Sequence, residues 1–76
     1  MNRQERINLV YERLKEEFKT KKGIRLKEFV AKMSLELGVS PRTIEDYINT
    51  LHNAGLIYAE EIYLITRGRM IYPKKP

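Results

Sequence analysis

The chain has 76 residues, no Cys, fifteen Lys and Arg against ten Asp and Glu, and a formal charge of +5. A chain this short buries only about 60 to 65% of its unfolded surface, so it is expected to form one small domain over residues 1–76, with no second core and no large enclosed cleft. The absence of Cys excludes thiol chemistry, disulfides and iron–sulfur clusters, His52 is the only His and cannot hold a metal alone, and no apolar run approaches the roughly 18 to 20 residues that cross a bilayer.

The first periodic segment covers about residues 3–20. Ile7, Val10, Tyr11, Leu14 and Phe18 recur at three- and four-residue steps, which predicts one apolar helical stripe with Arg6, Glu12, Arg13, Glu16 and Glu17 turned to water. Residues 19–23 should end it, with Gly23 free to take positive φ. Ile24, Arg25 and Leu26 have room for one small strand. A second helix is expected over about residues 27–37, with Leu26, Phe29, Val30, Met33 and Leu37 inward, and Gly38 stands where a left-handed helix end is needed.

Ser40 before Pro41 reads as a helix start: the hydroxyl can accept an amide hydrogen bond, and Pro is harmless at the first helical position. The third helix is expected over residues 41–54, burying Ile44, Ile48, Leu51 and part of Tyr47, with Gly55 ending it. After Gly55 the period changes. Residues 56–59 and 62–65 are rich in β-branched and aromatic side chains and flank Glu60 and Glu61, which predicts a tight hairpin over residues 56–65. Residues 66–76 read as a short turn and tail, with Thr66 capping a helical turn through Met70 and Pro73 ending it.

The fold class expected is α+β, mostly α. Two stretches give it a resemblance: Glu36-Leu-Gly-Val-Ser-Pro-Arg-Thr-Ile44 followed by Leu51-x-x-x-Gly-Leu-Ile57, and Tyr63-Leu-Ile-Thr-Arg-Gly-Arg69. The first is similar to the turn and recognition helix of winged helix-turn-helix regulators. The second resembles the strand-to-helix exit of many MarR-like and PadR-like subfamilies. The resemblance covers about the last 45 residues, implies three helices with a C-terminal β-hairpin wing, and implies that helix 3 docks in the major groove of double-stranded DNA. On that reading the groove-facing residues are Ser40, Arg42, Thr43, Asp46, Tyr47 and Thr50. Arg42 has the planar fork that holds both major-groove acceptors of guanine, or alternatively pairs with Asp46 one turn on. Thr43 and Tyr47 suit a thymine methyl or a phosphate, and Tyr47 equally suits a core position with its hydroxyl at the rim. Asn49, His52 and Asn53 are read as solvated.

Phosphate contacts are expected from Lys21, Lys22, Arg25 and Lys27 around the start of helix 2, and from Arg67, Arg69, Lys74 and Lys75 behind the wing. Charge is distributed accordingly: residues 1–40 sum to +4, 41–61 to −3 and 62–76 to +4. The acidic middle puts Glu60 and Glu61 at the wing tip, where minor-groove contact favours Arg or Lys. It therefore keeps a second reading open, a winged-helix module for protein contact in a replication, transcription or membrane-remodelling assembly.

An apolar hairpin face, or helix 1, offers a surface for a homodimer. No nucleophile–base set, Gly-rich phosphate loop or metal-ligand cluster appears, so neither an enzyme, a cofactor nor a small-molecule ligand is expected. Helix 1 has mixed charge and a stripe committed to the core, which argues against membrane binding. The charged opening of the chain, unlike a signal peptide, points to the cytoplasm. The wealth of Lys, Glu and Arg with one Gln is a composition that suits a thermophile.

Overall fold

The computed structural model describes residues 1–61 and 67–76. Helix α1 spans Arg3–Phe18 and opens with a reciprocal cap, in which Asn2 Oδ1 accepts the Glu5 amide at 2.8 Å and Glu5 Oε1 accepts the Asn2 amide at 3.4 Å. It buries Ile7, Val10 and Leu14. It ends two residues before the sequence suggests, because the Lys19 and Thr20 amides bond back only three residues, to the carbonyls of Glu16 and Glu17.

A two-residue strand β1 (Ile24–Arg25) leads directly into α2 (Leu26–Leu37). No side chain caps α2; the Leu26 amide instead donates to the Arg69 carbonyl at 2.9 Å, so the far end of the chain satisfies one of the helix's orphan donors. Gly38 closes α2 with φ +68. Ser40 then caps α3 (Pro41–Asn53), its Oγ accepting the Thr43 amide at 3.2 Å. Beyond α3, Gly55 takes φ +78 while the Leu56 amide reaches the Leu51 carbonyl and the Gly55 amide that of His52, the paired bonds of a Schellman end.

The C-terminal segment departs from the sequence reading. Met70–Tyr72 is strand β3 and not the end of a helical turn, and it is the middle strand of an antiparallel sheet ordered β1-β3-β2, where β2 is Tyr58–Ala59. Ile24 and Ala59 both pair with Ile71, which is fully buried between them. The partner of β2 is thus β3; the strand expected over 62–65 and the cap expected at Thr66 lie outside the described residues. Gly23 also serves a different end. Its φ is not positive, and a Cβ there would stand 2.6 Å from the Tyr72 ring, so what glycine supplies is room for that ring.

Three helices and the small sheet enclose one apolar cluster, with Phe29, Met33, Ile44 and Ile48 at its centre and Ile24, Ile57, Ala59 and Ile71 contributed by the sheet. The architecture is α+β and mostly α. Among the described residues no charged or polar side chain is buried, and none of the buried side-chain polar atoms lacks a partner.

Candidate functional site

The core takes Ile44, Tyr47, Ile48 and Leu51 from α3, which leaves Arg42, Asp46, Asn49 and Asn53 exposed at steps of four, three and four residues. At about 100° per residue this is a single stripe opposite the core. Its borders are fixed by contacts to neighbouring elements. On one side Thr50 Oγ1 accepts from Arg3 of α1 at 3.4 Å; on the other, Glu45 lies 3.8 Å from Arg69 and His52 Nδ1 accepts the Ala59 amide at 3.0 Å.

The structure redistributes the residues expected to read bases. Arg42 and Asp46 are exposed on the stripe, and among the described residues neither pairs with the other or with any third charge. Tyr47 is removed from the set: it is 2% exposed, its hydroxyl accepts from Arg6 Nε at 2.7 Å, and the guanidiniums of Arg3 and Arg6 lie 5.7 and 5.9 Å from its ring centroid. The ring is core and the hydroxyl is the rim contact that docks α1 on α3. Ser40 Oγ is engaged by the Thr43 amide and lies 2.9 Å from Thr43 Oγ1, so its first task is the cap. Thr43 and Thr50 stand at the α1-side border, where the Thr50 hydroxyl donates to the Asp46 carbonyl.

Asn49 and Asn53, read as solvated, are exposed, and they stand in line with Arg42 and Asp46. Asn49 lies two helical turns beyond Arg42 and is exposed. The spacing of seven was visible in the sequence, and the inward Ile44, Ile48 and Leu51 already set the stripe's direction.

The expected phosphate contacts fall into three places. Arg25, Lys27, Arg67 and Arg69 converge with Pro41 and Glu45 on an open cleft of about 640 Å³ between the starts of α2 and α3 and the approach to β3. Lys21 lies apart from it, paired with Glu17 at 2.9 Å, and Lys22 is exposed. Lys74 and Lys75 leave from the opposite end of β3, beyond Pro73, which lines an open cleft with Tyr11, Phe18 and Leu56.

Glu60 is not a free charge at a hairpin tip. Its carboxylate accepts both guanidinium nitrogens of Arg67 at 2.7 and 2.8 Å and the Met70 amide at 2.8 Å, while its carbonyl accepts from Arg69 Nε at 2.8 Å. These bonds close the neck of the connection between β2 and β3. The Arg67 fork, with help from the Met70 amide, holds the Glu60 carboxyl below its ordinary range, and Glu60 in turn raises Arg67. Of the residues expected to form a second apolar hairpin face, Ile57 is buried, Tyr58 packs on His52 and Tyr72, Leu56 is exposed, and 62–65 are outside the described residues.

Among the described residues no cluster of His, Asp or Glu is arranged to hold a metal ion, and no helix is long and apolar enough to cross a membrane. In comparisons with known proteins, no family model matches the chain, and neither a curated protein nor a solved structure matches it.

Proposed function

We propose that the chain is a winged helix-turn-helix domain that binds double-stranded DNA through the exposed stripe of α3, as a small regulator or architectural factor. The observation that carries this reading is the stripe itself: a helix with a capped, exposed start, bearing Arg42, which has no carboxylate partner among the described residues, and Asp46, Asn49 and Asn53 in line behind it. Those side chains match the donor and acceptor pattern of the major groove. Arg suits the two acceptors of guanine, Asn the acceptor–donor pair of adenine, and Asp the amino group of cytosine. The adjoining cleft supplies Lys27 and Arg25 for the backbone, at the start of α2.

The protein-contact reading depended on Glu60 and Glu61 standing together at the wing tip. Glu60 is engaged by Arg67, which leaves Glu61 alone and makes that reading the weaker one.

The test is fluorescence anisotropy with a random-sequence duplex across a salt series. A log–log slope of about −3 or steeper supports the reading, since each neutralised phosphate adds about 0.9. A flat response at low salt overturns it. Arg42→Ala is expected to weaken a selected site by about 1 to 3 kcal/mol while sparing random duplex, whereas Lys27→Ala weakens both alike.

A further inference from the structure

The first turns of α1 hold cations that the fold sets against the reading helix. Arg3 reaches Thr50 Oγ1 at 3.4 Å and lies over the Tyr47 ring, while Arg6 is tied by its Nε to the Tyr47 hydroxyl and by its Nη1 to the Met1 carbonyl, each at 2.7 Å. Every one of these partners is neutral. Among the described residues neither Arg3 nor Arg6 has a carboxylate within ion-pairing distance, although α1 farther along pairs Glu12, Glu16 and Glu17 with lysines. Glu5, the acid of this end, turns back to the Asn2 amide.

The position matters as much as the charge. Thr50 lies eight residues beyond Arg42, about 12 Å along the helix axis, on the border of the exposed stripe that faces α1. A helix seated with the stripe in the groove therefore turns this border, and Arg3 upon it, toward the backbone that flanks the groove. The cleft cations Arg25 and Lys27 attend the other end of α3, beside Pro41.

We propose that Arg3 is a phosphate-contacting residue, held by Thr50 and the Tyr47 ring, so that α1 grips the DNA backbone at the end of α3 remote from the cleft. The inference rests on the DNA reading above. In this arrangement Arg6 cannot be exchanged for charge alone, because its fork is fixed by Tyr47 and the Met1 carbonyl. Arg3 presents an exposed guanidinium whose contacts to Thr50 and Tyr47 orient it without neutralising it.

The experiment is the salt series with random duplex on the full chain, comparing wild type, Arg3→Gln, Arg3→Lys and Lys15→Gln. Lys15 is a control cation, paired with Glu12 at 2.8 Å. Arg3→Gln is expected to flatten the log–log slope by about 0.9, so that raising salt from 50 to 200 mM costs about 3.5-fold less affinity than in wild type. Arg3→Lys should restore the slope, which a purely structural stacking role would not, and Lys15→Gln should leave it unchanged. A wild-type slope in Arg3→Gln overturns this inference while leaving the DNA reading intact. Absence of salt-dependent binding by wild type overturns both.

Discussion

At the scale of single residues, His52 and Gly23 carry more than their local sequence suggests. His52 stands in the last turn of α3, where a basic residue normally serves the helix end, yet its Nδ1 accepts the amide of Ala59, seven residues on and in another element. The ring also packs at 59° to Tyr58, with centroids 5.4 Å apart. His52→Phe keeps the ring and removes the acceptor, leaving a part-buried amide without a partner. It is expected to cost about 1 to 3 kcal/mol, read as a lower urea midpoint at unchanged slope, whereas His52→Gln, whose amide oxygen can accept, loses less. Gly23→Ala meets the Tyr72 ring at 2.6 Å and must push it off the sheet. The expected loss is again about 1 to 3 kcal/mol, with the Tyr58–Tyr72 stack disturbed, and tyrosine resonances in an NMR spectrum would report it.

At the scale of elements, what the sequence discloses follows from how local each signal is. The helices were legible because their stripes, and the cap of α3 and the stop of α2, lie within the segment: Ser40-Pro41 and Gly38 do in the structure what their chemistry predicts. The sheet was not. Strand β3 is three residues long, and its identity comes from Ile24 and Ala59, 47 and 12 positions away from Ile71, so no window around Met70 could reveal it. The candidate site was half legible for the same reason. Arg42 and Asp46 follow from the cap and Asn49 from the apolar spacing, but Glu60 changes meaning once β3 places Arg67 and Met70 beside it.

The Glu60 neck also predicts a pH dependence. Its folded-state pKa lies below the ordinary 4.5, with the Arg67 hydrogen bonds the largest cause. The linked stability is therefore fully present above that ordinary value and is lost as pH falls through the lower folded value. For Glu17, burial works to raise the pKa, but Lys21 and Lys32 more than offset it, so this carboxylate contributes with the same sign. Acid titration of the thermal midpoint should accordingly show a fall that begins below about pH 4.5 and is shallower in Glu60→Gln than in wild type. An identical fall in the variant would mean that the neck adds nothing to acid stability.

At the scale of the whole molecule, ion pairing sorts the charges into two populations. Arg13–Glu36 and Lys32–Glu17 lace α1 to α2, while Lys15, Lys19 and Lys21 pair with acids of their own helix or its end. The cations without a carboxylate among the described residues are Arg3, Arg6, Lys27 and Arg42, at the first turns of α1, at the cleft and on α3, and Lys22, Lys74 and Lys75, which lie away from them. Part of the +5 charge thus stands unneutralised where the proposed DNA lies, although the cleft also pairs Arg25 with Glu28 and Arg69 with Glu45. These two populations should answer salt differently. Exposed pairs contribute about 0 to 1 kcal/mol each and are partly screened already, so raising NaCl from about 50 to 500 mM should move the thermal midpoint little. Four phosphates neutralised by α1 and the cleft would give a slope near −3.6, so the same tenfold change should weaken duplex binding about 4,000-fold. Measured on one preparation by thermal denaturation and anisotropy, a large drop in binding with an almost constant midpoint is the expected result. A midpoint that falls in step with affinity would mean that the cations hold the fold together and do not hold DNA.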